Sequence, residues 1–89
     1  MARCWVGLIA RIEWRSECKA VERPLAVLVG NERREVEEER HWVEGPLEAG
    51  APLETVWVVV DGQGRRYRLR HRATGETRVE IDVVSAPAG

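Results

Sequence analysis

RRYRLRHRATGETRVEIDVV, Arg65 to Val84, decides the fold. Five of its first eight residues are arginine. Read as a basic run it would suggest a polyanion grip. Read as a strand it divides, because successive side chains of a strand point to opposite faces. Tyr67, Leu69 and His71 then share one face, and Arg66, Arg68, Arg70 and Arg72 the other. The segment after it alternates in the same way. Val79, Ile81 and Val83 fall on one side, and Arg78, Glu80 and Asp82 on the other. Gly75, third in the loop Ala73-Thr74-Gly75, fits a type I turn closed by a glycine bulge. That turn sets Leu69 against Val79 and Tyr67 against Ile81. It also sets Arg68 against Glu80, Arg66 against Asp82 and Arg72 against Glu76. A one-residue slip would put Arg70 against Val79 and spoil every match. In this register Arg70 faces Arg78 and has no acidic partner, so Arg70, Arg78 and Arg65 are the arginines most free to grip something outside.

One hairpin upstream, ETVWVVVD (54–61) and the turn Gly62-Gln63-Gly64 extend the pattern into a three-stranded meander. Trp57 and Val59 join the Leu69 and Tyr67 face, while Val56, Val58 and Val60 join the arginine face. A strand apolar on both faces belongs in the middle of a sheet. Its second face needs a cover, either arginine stems with their heads in water or another strand.

Further upstream, EGPLEAGAPLE (44–54) reads as a long loop. ERREVEEERHWV (32–43) is helical in composition but carries no apolar stripe of helical width. It follows the tight turn Gly30-Asn31, and that favours an exposed strand over a helix. LAVLV (25–29) is a short apolar strand bounded by Pro24 and Gly30. RSECKAVERP (15–24) reads as a polar connection. CWVGLIARIEW (4–14) reads as one strand with Val6, Leu8, Ala10, Ile12 and Trp14 on one face. The predicted core comprises Leu8, Ile12, Leu25, Val27, Val29, Trp57, Val59, Tyr67, Leu69, Val79 and Ile81. The predicted fold is all-β: a small antiparallel meander of five to six strands, curled or closed into a partly open barrel of SH3-like or OB-like kind. Residues 1–84 form one domain, and residues 85–89 are expected to fray.

The chain has 89 residues and a formal net charge of −1. That balance disfavours a bulk polyanion binder, yet the charge is segregated. Residues 30–48 hold seven Glu and three Arg, and residues 65–78 hold six Arg and one Glu. Thirteen of the fourteen basic residues are arginine. This bias suits a heat-tolerant surface of ion-pair networks, and a GC-rich genome produces it as well. No apolar run approaches the roughly 20 residues a bilayer-spanning helix needs. The apolar run near the N-terminus is broken by Arg11 and Glu13 and makes a poor signal peptide. A cytoplasmic protein is therefore expected. Cys4 and Cys18 are too few for a disulfide framework and read as small hydrophobes.

No motif for catalysis, cofactor or metal stands out, and none of the three is expected. His41 and His71 sit on different strands with nothing in their spacing to join them. Glu35, Glu37, Glu38 and Glu39 read as a solvated face. The candidates for polyanion or partner contact are Arg65, Arg66, Arg68, Arg70, Arg72 and Arg78. Among the four tryptophans Trp57 is core, and Trp5 and Trp42 are candidates for an interface.

The positions Gly30, Arg40, Trp42, Gly62, Tyr67, Leu69 and Gly75 carry a resemblance. Their spacing over residues 22–83 resembles a family of small domains of unknown function from GC-rich bacteria, some of them associated with translesion DNA polymerases. Residues 33–36 lack the aromatic residue of that pattern, and residues 1–20 are unmatched. The resemblance implies a strand over 32–43 and a DNA-repair accessory role, and it carries over no functional residue. Two functions follow as expectations. The first is a non-catalytic interaction module that self-associates, most simply as a dimer. The alternative is a nucleic-acid-binding accessory protein.

Overall fold

Two glycine-bulge turns organise the centre of the molecule. In each, a loop ends on a glycine in the left-handed region, Gly64 at φ 81° and Gly75 at φ 99°. Gly64 N donates to Asp61 O (3.1 Å) and Gly75 N to Arg72 O (2.9 Å). The pairs Asp61/Arg65 and Arg72/Glu76 close the two hairpins, each through a 2.9 Å backbone hydrogen bond. The sequence register follows from these turns: Tyr67 faces Ile81, Arg68 faces Glu80, Leu69 faces Val79 and Arg70 faces Arg78.

The computed structural model describes residues 3–17, 21–45, 50, 53–72 and 74–84. They form seven strands: β1 (Arg3–Leu8), β2 (Arg11–Glu17), β3 (Val21–Val29), β4 (Glu32–Glu44), β5 (Glu54–Asp61), β6 (Arg66–Arg72) and β7 (Thr77–Val84). All neighbours are antiparallel, in the order β1-β7-β6-β5-β4-β3-β2, and the sheet curls into a half-barrel. The fold is all-β, as the alternation requires, and β5 is the central strand. The segment 32–43 is a strand throughout. The expected tail 85–89 and Cys18 lie outside the described residues.

Seven strands rather than five or six arise from the first segment. CWVGLIARIEW is not one strand. It breaks at Ile9-Ala10, and the chain passes there from one end of the sheet to the other. Leu8 faces Val79 on β7, whereas Arg11 faces Leu28 on β3. The alternation runs on across the corner, so both halves keep their apolar faces inward. The expected polar connection 15–24 is also largely strand, since β2 continues to Glu17 and β3 begins at Val21.

Two bulges supply the curl, as extra residues in one strand of a pair bend it. β4 pairs with β3 through Glu32–Glu35 and with β5 through Val36–Glu44, with its register shifting between Glu38 and Arg40. On β3, Glu13 faces Ala26 while Trp14 faces Pro24, which leaves Leu25 as the extra residue. Pro24 has no N–H to give to a ladder, and Leu25 is left half-buried, outside the core cluster. Leu25, expected in the core, instead lines an outer groove.

The concave face holds the core: Val27, Val36, Trp57, Val59, Tyr67, Leu69 and Val79, with Leu8, Ala10, Ile12, Trp14, Val29 and Ile81 packed against them. β2 crosses back toward β7 and brings Trp14 edge-on to Trp57, with ring centroids 5.2 Å apart.

Candidate interaction surfaces

The convex face is built by the arginine strand. Val56 and Val58 of β5 are buried beneath it, although they point away from the core. Val58 lies between Arg40 and Arg68, and Val56 between Trp42 and Arg70. Arginine stems and a tryptophan therefore cover the central strand's second face, and no second sheet does so among the described residues.

The heads of these arginines meet carboxylates. Arg68 grips Glu80 with two hydrogen bonds of 2.9 Å. Arg70 reaches Glu44 at 2.9 Å, and Glu54 and Glu80 at 3.5 Å. Arg72 binds Glu54 at 2.9 Å, and Arg78 lies 3.5 Å from the same residue. Arg66 turns to Glu39 on β4 (2.8 Å), leaving Asp82 to Arg3 (3.0 Å). Arg65 holds Asp61 at 2.7 Å. Arg70 and Arg65, expected to be free of acidic partners, each have a close one, while Arg78 stays two-thirds exposed with its nearest carboxylate at 3.5 Å. Arg70 has no acid directly opposite, but its long side chain reaches carboxylates on both neighbouring strands, β5 and β7, and on β4 beyond β5. The face is a lattice of alternating signs, not a basic patch.

Both outer tryptophans belong to this lattice. The Arg68 guanidinium sits 4.8 Å from the Trp5 ring centroid, and Arg40 lies 5.2 Å from that of Trp42. Trp42 Nε1 also donates to Glu44 (3.0 Å). Each is half-buried.

A second cluster lies at the turn of β5 and β6. Asp61 is buried and its carboxylate accepts four hydrogen bonds. Tyr67 OH (2.8 Å) and Arg65 Nε (2.7 Å) donate to Oδ2. The backbone N–H groups of Gln63 and Arg65 donate to Oδ1, each at 2.9 Å. Arg34, from β4, donates to Tyr67 OH (3.0 Å) and Glu32 (3.1 Å), while its Nε is buried with no partner among the described residues. The sequence signal for this cluster was an aspartate before a Gly-x-Gly turn with a tyrosine expected inside close by, and the two were not joined in the sequence reading.

Burial alone would raise the Asp61 pKa. The donors, with Tyr67 foremost, outweigh it and hold the carboxyl below its ordinary value. Glu80 is lowered by its bonds to Arg68, Glu54 by Arg72, and Glu44 by Trp42 and Arg70. A carboxyl depressed in the folded state binds fewer protons there than in the unfolded chain. Its stabilisation is complete above the unfolded value of about 4 and fades as pH falls through the folded value. Thermal melts should therefore be flat from neutral pH to about 5 and fall steeply below about 4. A midpoint unchanged down to the strongly acid range would refute this account of the carboxylates.

The histidines sit on the concave side. His41 and His71 flank Trp57, with ring centroids 6.4 and 6.2 Å from it. Sequence spacing did not show this arrangement, because Trp57 brings the two rings into one cluster across two strand pairs. His41 Nδ1 lies 2.7 Å from Glu38 and His71 Nδ1 2.8 Å from Thr77. Among the described residues no group of three ligating side chains is placed to hold a metal.

Two of the open surfaces bear most directly on a partner. One is a groove where β4 leaves β3, floored by Pro24, Leu25 and Val36 and flanked by Arg15, Arg23, Glu37 and Glu38, with a volume of about 370 Å³. The other is the outer edge of β1, which carries Val6 (45% exposed) and leads into Ile9 (97% exposed). Among the described residues no helix is long and apolar enough to cross a membrane. No family model matches the chain, and no match was found among curated proteins or solved structures.

Proposed function

We propose that the chain is a non-catalytic interaction module of the cytoplasm that self-associates, most simply as a dimer. The observation that carries this is the open sheet. A half-barrel leaves strands at both ends, and an unpaired edge is a template for another strand. Exposed apolar residues accompany one of these ends. Binding is favoured over catalysis because the buried carboxylate, Asp61, is fully engaged within the protein. Nucleic-acid binding, and with it a DNA-repair role, draws less support. Arg65, Arg66, Arg68, Arg70, Arg72 and Arg78 each have a carboxylate within 4 Å, so a phosphate would have to displace it.

Light scattering across a concentration series tests the proposal, with a dimer expected. A monomer at every concentration counts against it. Single- and double-stranded DNA titrated at low salt, where phosphate contacts are strongest, should produce no shift. A shift that weakens steeply with added salt would move the function to nucleic acid.

A further inference from the structure

The strand edges that are free among the described residues differ in how well they are protected. β2 carries Arg11, Glu13 and Arg15 and pairs with a bulged partner. The part of β4 beyond its pairing with β3 carries Glu37, Glu38, Glu39 and Arg40. Charges and bulges are the devices that keep edges from pairing. β1 has none of them from Trp5 to its end at Leu8, and the uncharged run goes on through Ile9 and Ala10, six residues in all.

The hydrogen bonds of the hairpin show which groups β1 offers. Arg72 N donates to Glu76 O, so these residues form a hydrogen-bonded pair. Such pairs recur at every second position of an antiparallel ladder. Arg78 and Glu80 therefore bond toward β6, and Val79, Ile81 and Val83 bond toward β1. Their partners there are Leu8, Val6 and Cys4. By the same alternation Arg3, Trp5 and Gly7 aim their N–H and C=O groups outward, at the open edge.

From this we infer that the partner is a second copy of the chain, joined antiparallel through β1 with Val6 against Val6 of the second copy. The seam rests on the self-association reading above and gives it a register. Opposing residues must lie on the same face, which leaves few choices of register. Centring on Val6 covers the exposed apolar side chain within the strand. It sets Cys4 against Leu8 of the second copy. It also sets Trp5 against Gly7 of the second copy, in hydrogen-bonded pairs. A Cβ on Gly7 would meet nothing within 4 Å, so there is room beside it for an indole. A register centred on Trp5 sets Arg3 against glycine, and one centred on Cys4 leaves Val6 uncovered by any described residue. In the chosen register the two curled sheets run on into one another.

Cross-linking reads the register directly. At a non-hydrogen-bonded pair the Cα atoms are about 4.5 Å apart, within disulfide range. The Val6→Cys variant in a Cys4→Ser, Cys18→Ser background should oxidise to a covalent dimer. The wild-type Cys4 thiols should stay unlinked, because four strand residues separate Cys4 from its copy, about 14 Å. Gly7→Pro removes an outward N–H and spares the ladder to β7. It should reduce the mass in solution to the 10.1 kDa of one chain, with the far-ultraviolet circular dichroism unchanged. A wild-type monomer overturns self-association itself. A wild-type dimer that fails to link through Val6→Cys, or links through Cys4 instead, overturns the seam and leaves self-association standing. A folded Gly7→Pro protein that remains dimeric does the same. If Gly7→Pro unfolds, the cross-link alone decides.

Discussion

Asp61→Ala is expected to destabilise the protein by about 3–5 kcal/mol, the cost of breaking a buried, hydrogen-bonded charge pair by removing one partner. Four donors lose their acceptor at once. Arg65 is partly exposed and can turn to water or to Glu32, 3.8 Å away. Tyr67 has no such option, because its side chain is fully buried. The two turn amides lose the oxygen that holds the β5–β6 loop closed. An 89-residue domain has a total stability of roughly 4–13 kcal/mol, so this substitution removes a large share of it. Asp61→Asn keeps an oxygen for the turn amides and should fall between wild type and Asp61→Ala. Tyr67→Phe should cost about 1–3 kcal/mol, since it strips one donor from Asp61 and leaves an Arg34 N–H without its acceptor. Because these residues share one network, the double substitution should cost less than the sum of the singles. Urea unfolding measures all of these. An Asp61→Ala protein within 1 kcal/mol of wild type would show that the cluster does not hold the turn.

Trp57→Ala should cost a similar amount, about 3–5 kcal/mol, for a different reason. Trp57 is almost wholly buried in the centre of β5 and is the surface on which Trp14 rests. β2 is joined to the rest of the molecule by its ladder to β3 and by this packing across the concave face. Removing the indole opens a cavity and releases one end of the curl. Trp14→Ala should show part of the same loss, and the two should be coupled by about 0.5–1.5 kcal/mol, the worth of an aromatic pair beyond its buried area. Additive losses would mean that the two indoles are neighbours without interacting.

The three-stranded centre was legible because several local signals agree. Alternation, paired charges and Gly75 all point to one register, and a slip would have violated each of them. The corner at Ile9-Ala10 was not legible. Val6, Leu8, Ala10, Ile12 and Trp14 keep the same parity on both sides of it, so nothing in the pattern marks where pairing passes from β7 to β3. The bulge at Leu25 was half-legible, since Pro24 announced an interruption but not its direction. The convex lattice was read correctly for Arg68 and Glu80, but Arg66, expected against Asp82, turns instead to Glu39. It was misread where an arginine reaches diagonally, as Arg70 does. Pairing rules count directly opposed residues, and a side chain of this length reaches beyond them.

Among the described residues β1 pairs only with β7, joining Arg3 to Val84 and Leu8 to Val79. The first of the described strands thus has its partner in the last of them. Every other ladder can form between strands adjacent in the chain, but this one closes a loop of almost the whole domain. Such long-range pairing slows folding, placing β-rich domains in the range of milliseconds to seconds. Until it is made, the apolar run from Trp5 to Ala10 waits without its native neighbour, exposed to whatever chain is nearby.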